Sequence, residues 1–219
     1  MNRVVIAAAG ALLVAAVGIP VAFAATLPVA SSTLTTASVP VTVPASTCTP
    51  EPIADAALDR ASQGSNYGNL GFLAVRAQNG NNQRRSLVKF DLASCSIPPT
   101  AVLESATLTV NVVAGPASSR SYAVHRVTEP WAETSVTYST QPSFAAGATS
   151  TIATGTEPPS LSWPVLADVT AFVNGTQANE GWVVMDTDEK ANPSVETILG
   201  ARENGTASIR PTLVIGYYP

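Results

Sequence analysis

Arg85 and Lys89 stand four residues apart in the run Arg84-Arg85-Ser86-Leu87-Val88-Lys89-Phe90-Asp91-Leu92. In an extended strand side chains alternate between faces, so both cations project to the same side. A guanidinium is a planar fork that fits a carboxylate or sulfate, and an ammonium is a compact point charge. A strand face carrying both suits an anionic ligand. Arg126 and Arg202 fall on other expected strands and extend the basic group, while Tyr67 sits in the turn Asn66-Tyr67-Gly68 and offers a flat ring. The competing account is structural: Asp91, Glu133 and Glu203 are near enough in type and number to neutralise these cations in internal pairs.

Catalytic chemistry finds little to work with. His125 is the only histidine, and the chain has neither a Gly-x-Ser-x-Gly elbow nor a His-Glu-x-x-His pair. The serious enzymatic alternative is a small polysaccharide lyase, which needs a base and an acid beside a group that neutralises a uronate. Tyr122, His125 and Arg126 are the right types, yet strand alternation sends His125 to the face opposite Tyr122 and Arg126. No catalytic set is expected.

Asp186, Asp188 and Glu189 form an acidic cluster after a strand, and Asp59, Asn66 and Asn69 form a second oxygen-rich group. Oxygen ligands on a loop can hold a structural calcium. The EF-hand spacing is absent, so a solvated acidic loop is the expectation and no cofactor is required. Cys48 and Cys95 are the only cysteines, which in an oxidising compartment read most simply as one disulfide. A tetrahedral metal site is the weaker account, because two thiolates and one histidine do not complete it.

The start of the chain supplies that compartment. Arg3 precedes an uninterrupted apolar stretch from Val4 to Ile19, and Ala22-Phe23-Ala24 offers small residues for cleavage. Residues 1–24 are therefore expected to be a secretory signal, with an uncleaved N-terminal anchor as the alternative. Without Arg3 the 11 basic residues become 10 against 15 acidic ones, a net charge of about −5. Such a balance argues against nucleic acid as a partner, and a monomer without membrane contact is expected after cleavage. Residues 25–52 are Thr, Ser, Pro, Val and Ala, with prolines at 28, 40, 44, 50 and 52, and read as a semi-rigid linker.

From Ile53 to the end, short period-two runs alternate with Gly, Pro, Asn and Ser clusters, the pattern of an all-β sandwich. About ten strands are expected over 53–219, around residues 53–58, 70–76, 85–91, 105–113, 120–127, 135–139, 161–166, 181–186, 195–203 and 210–217. Leu108, Val110 and Val112 point to the core in the clearest of them. In the run from Arg85, Val88, Phe90 and Leu92 point inward, leaving Arg85, Leu87, Lys89 and Asp91 on the wet face. One short helix is expected over 168–174, capped by Asp168 and stopped by Asn174-Gly175. Most tryptophans and tyrosines are expected to pack in the core.

The order of these landmarks resembles a known family. Ala54-Asp55-Ala56, Asn66-Tyr67-Gly68, Arg85 to Leu92, Ile97-Pro98 and Ser105-Ala106-Thr107-Leu108 come first. Arg126-Val127-Thr128, Trp131-x-Glu133, Ser135-Val136-Thr137-Tyr138, Gln141-Pro142, Asp168-Val169-Thr170, Gly181-Trp182, Arg202-Glu203 and Arg210-Pro211-Thr212-Leu213 follow. The series is similar to the DNRLRE domain, carbohydrate-binding module family 96. Tyr138, Leu199 and Ala201 depart from it, standing where Trp, an aromatic and Ser are frequent. The resemblance implies a secreted, non-catalytic sandwich of jelly-roll type, some of whose relatives hold acidic polysaccharide. The expectation is a secreted binder of polysaccharide or cell-surface glycan, with Arg85, Lys89, Arg126 and Tyr67 as its ligand-binding residues. An adhesive cell-surface module is the second possibility.

Overall fold

A computed structural model describes residues 45–219; the expected signal 1–24 and the linker up to residue 44 lie outside them. Eleven strands follow in order: β1 (Ser46–Cys48), β2 (Pro52–Asp59), β3 (Phe72–Ala77), β4 (Arg84–Phe90), β5 (Val102–Ala114), β6 (Arg120–Arg126), β7 (Ser150–Thr154), β8 (Ser160–Pro164), β9 (Trp182–Asp186), β10 (Val195–Gly200) and β11 (Thr212–Tyr218). One α-helix, α1 (Leu166–Val173), precedes β9. Every pairing is antiparallel, and the strands run β1-β11-β5-β10-β3-β4-β9-β6-β7, with β2 on β4 and β8 on β5. The chain is all-β and of sandwich, jelly-roll type, as its periodicity implies.

The path curls at β3 and β4, which share a single residue pair, Arg76 with Arg84. Beyond that pair the strands part, and Ser86 fills the gap: its hydroxyl donates to the Ala74 carbonyl at 2.9 Å and accepts from the Ala74 N–H at 3.1 Å. Two backbone groups that lose their ladder partner are thereby satisfied. On either side of this corner the inward residues meet. Leu73 and Val75 of β3, Leu108 and Val110 of β5, Leu161 and Trp163 of β8, Leu199 of β10, and Leu213 and Ile215 of β11 pack against Val88 and Phe90 of β4, Tyr122 and Val124 of β6, and Trp182 and Val184 of β9. Removing each such side chain from water contributes about 1.5–3 kcal/mol. Two large polar aromatics of this core are paired: Trp163 Nε1 donates to the Tyr122 carbonyl at 3.0 Å, and the Tyr122 hydroxyl lies 2.6 Å from Thr197 Oγ1.

Five features depart from the periodicity. Ser46–Cys48, inside the Pro/Thr/Ser-rich stretch, pairs with β11 and is tied by the Cys48–Cys95 disulfide to the 3₁₀ turn Leu92–Cys95. Strand β7 has Ile152 as its one large apolar residue, which leaves no alternation to read. The expected strand at 135–139 is a turn, because Thr137 and Thr140 exchange side-chain-to-backbone bonds of 3.0 and 3.2 Å that compete with a ladder. Helix α1 starts at Leu166, so Asp168 lies in its first turn instead of capping it, and Gly175 at φ +67 ends it as expected.

The largest departure concerns β4. Its supposed wet face carries Leu87, which is fully buried in a second cluster with Ala56, Leu58, Val183, Val127 and Val136. Trp131, Tyr138 and Phe144 pack against that cluster from the irregular segment between β6 and β7. This segment roofs the outer face of β2, β4 and β9. A strand buried on both faces has no simple alternation, and a roof without regular structure leaves no period in the sequence.

Candidate functional site

Arg85 rises from β4 into the roof and stays there. Its Nε and Nη2 donate to Glu189 at 2.7 and 2.8 Å, its Nη1 donates to Gln141 Oε1 at 2.9 Å, and its side chain is 15% exposed. The guanidinium also lies 5.4 and 5.8 Å from the ring centroids of Phe144 and Tyr138, within cation–π range. The bonds to Glu189 raise its pKa against the opposing effect of burial. Lys89 shares the strand face as expected, and its Nζ lies 2.7 Å from Glu180. Arg126 donates to Gln177 Oε1 at 2.7 Å and stands 3.5 Å from Asp168, which also accepts from Trp182 Nε1 at 2.8 Å and Thr149 Oγ1 at 2.5 Å. The three cations thus each face an acid of the chain, but Glu189, Glu180 and Asp168 hold them instead of Asp91. Asp91 caps the 3₁₀ turn, accepting from the Ala93 N–H.

Tyr67 belongs to a second constellation. It is half-buried against the main core, and its backbone bridges to Ala57. The turn that holds it is anchored by Asn66, whose Nδ2 donates to the carbonyls of Glu133 and Val136, both at 2.7 Å. A Cβ at Gly68 would stand 2.1 Å from the Glu133 carbonyl oxygen, so this turn needs glycine to approach. Glu133 in turn grips Arg202, whose Nε and Nη2 reach its two carboxylate oxygens at 2.7 and 2.5 Å. Arg202 Nε also lies 2.8 Å from Glu203.

Asp55 completes this network from β2. Its N–H donates to Glu133 at 2.8 Å, and its carboxylate accepts the Arg202 N–H at 2.7 Å. The residue is 1% exposed. Burial, and then the charges of Glu203 and Glu133, push its pKa up to about 7. Asp55, Glu133 and Glu203 bring carboxylate oxygens within 4.8 Å of one another, and one Glu203 oxygen is buried without a hydrogen-bond partner. Arg202 already supplies a cation to this group. The family-like pieces Asp55, Trp131-x-Glu133 and Arg202-Glu203, far apart in sequence, thus meet in one tie between β2, the roof and the segment after β10.

The acidic groups weighed for calcium are otherwise engaged. Both Asp186 oxygens accept from Arg120, at 2.6 and 2.8 Å, and Glu189 is held by Arg85, so the expected solvated acidic loop is in large part an ion-paired one. The sequence hides this because Arg120 and Arg85 arrive from neighbouring strands. Asp59 likewise accepts from the Arg84 Nε and Nη2 at 2.9 and 2.7 Å. Arg84 Nη1 continues to Glu196 at 2.7 Å, and Glu196 to Arg76 at 2.9 Å. This chain of alternating charges crosses the β3–β4 corner and leaves no sequence signal, since its members come from distant segments.

His125 and Tyr122 lie on opposite faces of β6, as alternation requires. The histidine Nδ1 is 2.9 Å from the Ala145 carbonyl and its ring meets the edge of Phe144 at 5.5 Å, while Tyr122 is buried in the main core. Trp163 and Trp182 are core residues too, and Trp131 donates from Nε1 to the Glu180 carbonyl at 2.9 Å.

No curated protein matches the chain significantly. The family model described as carbohydrate-binding module family 96 matches residues 46–217, which runs from β1 to within one residue of the end of β11. The all-β, jelly-roll type architecture is consistent with that match, and the chain belongs to carbohydrate-binding module family 96.

Proposed function

We propose that the protein is a secreted, monomeric, non-catalytic module that holds polysaccharide or a cell-surface glycan. The family match over residues 46–217 carries this reading. The separation of His125 from Tyr122 supports recognition without turnover, because an acid and a base must face the same substrate bond. The Cys48–Cys95 disulfide supports an oxidising, extracellular setting. An anionic preference rests on Arg85, Lys89 and Arg126. A ligand carboxylate bound there has to displace Glu189, Glu180 or Asp168 and leave that acid without its cation.

Those same internal pairs favour a second reading, an adhesive module whose partner is a wall or surface protein. A glycan array run beside a pull-down from isolated cell wall separates the two. Saturable binding to defined glycans supports the first; capture of wall protein with no glycan bound overturns it.

A further inference from the structure

The β3–β4 corner contains a small cavity of about 80 Å³, bordered by Tyr67, Leu70, Phe72, Asp59 and Arg84. We infer that this corner is a subsite for one neutral pyranose unit, stacked on Phe72 and held through a pair of adjacent hydroxyls by Asp59 and Arg84. The inference deepens the carbohydrate-binding reading and rests on it.

Sugar rings present an apolar C–H face and a polar hydroxyl edge, so a site for them needs an exposed ring beside fixed hydrogen-bonding groups. Among the described residues, the aromatic side chains left well exposed in the strands are Phe72 at 41% and Tyr218 at 37%. Phe72 alone of the two borders this cavity. Phe72 offers an exposed ring at the rim of the cavity, and a stacked sugar removes that area from solvent.

The polar side is equally specific. Asp59 accepts three bonds, from the Ala61 N–H at 2.9 Å and from Arg84 Nε and Nη2, out of about four that a carboxylate can take. Arg84 has five N–H groups; three go to Asp59 and Glu196. One acceptor position on Asp59 and two N–H groups on Arg84 are left over, on two residues that both line the cavity. Two vicinal hydroxyls, each both donor and acceptor, match that pattern. A uronate carboxylate does not, because it meets Asp59 and Glu196 at the same fork.

The site is also pre-formed. Arg84 is clamped between two carboxylates; burial pulls its pKa down, but its bonds to Asp59 and Glu196 leave it raised and the cation firmly charged. Asn204 Nδ2 donates to the Gly71 carbonyl at 2.8 Å and Asn66 anchors the Tyr67 turn, so the loop flanking Phe72 is fixed from both sides. Little ordering remains to oppose binding. A cavity of about 80 Å³ has room for about two or three water-sized groups, so the ring itself stays outside it and only its hydroxyl edge enters.

Titration calorimetry of the mature protein against β-linked gluco-, xylo- and manno-hexaoses and against a hexauronate tests the inference. Expected is binding to at least one neutral probe, weakened about tenfold or more by Phe72→Ala, kept by Phe72→Trp, and unchanged by Tyr218→Ala. Phe72 and Tyr218 are exposed, so thermal midpoints should stay at the wild-type value. Neutral-probe binding that survives Phe72→Ala overturns the location. Binding to the hexauronate alone overturns the ligand class. A wild-type protein that binds no probe here overturns the inference, and only one that also binds nothing on the glycan array removes the carbohydrate-binding reading beneath it.

Discussion

Arg85 and Glu189 lie 104 residues apart in sequence and fork to fork in the fold, joined by two parallel bonds of 2.7 and 2.8 Å beneath the rings of Tyr138 and Phe144. Removing the guanidinium leaves Glu189 without its cation in a largely dehydrated place and undercuts the roof. Arg85→Ala is therefore expected to cost about 3 kcal/mol of stability. Lys89→Ala, whose partner Glu180 loses a single bond, should cost about 1 kcal/mol. Urea unfolding monitored by tryptophan fluorescence checks both; an Arg85→Ala protein as stable as wild type contradicts this account of the roof.

Asp55 makes stability depend on pH. Its folded pKa, raised by burial and by Glu203 and Glu133 to about 7, exceeds the ordinary 3.8, so between these values the folded state keeps a proton that the unfolded chain has released. The contribution is complete below about pH 4 and is lost as pH rises through 7, with a slope of at most about 1.4 kcal/mol per pH unit. Comparing urea midpoints across this window for wild type and Asp55→Asn isolates the effect: the variant should show a flatter, less negative dependence. Parallel curves contradict it.

Gly68 sets how closely the Tyr67 turn meets the roof. Its missing side chain leaves room for the Glu133 carbonyl, which a Cβ would approach to 2.1 Å. Gly68→Ala should cost about 2–3 kcal/mol through forced displacement of backbone. Gly64→Ala, where a Cβ meets nothing within 4 Å, should leave the thermal midpoint in place.

The Cys48–Cys95 disulfide closes a loop with a sequence separation of 47 and fixes the edge strand β1. On the chain-entropy model its loss costs about 4 kcal/mol. Thermal scans of the double Cys48→Ser/Cys95→Ser protein should show a correspondingly lower midpoint, with the main core intact.

Period-two runs were enough to find nine of the strands because β3, β5, β6, β8 and their neighbours put large apolar residues on one face. They failed where the physics is not local. Val136 and Tyr138 read as strand but serve as the underside of a roof, and Leu87 read as wet because the cover over it has no period of its own. Arg85, Lys89 and Arg126 are legible as residues with chemistry; their pairing with Glu189, Glu180 and Asp168 is not, since each pair spans distant segments. The β3–β4 corner is hidden in the sequence for the same reason. Phe72 looks like one more core phenylalanine until the strand order leaves it at the rim.

Recognition without turnover is decided by incubating the purified protein with the glycan it retains most strongly, while following bound sugar and newly formed chain ends in the same sample. Saturable binding with chain ends flat at the level of the protein-free control is expected. A steady rise in chain ends, abolished by His125→Ala, overturns the proposal.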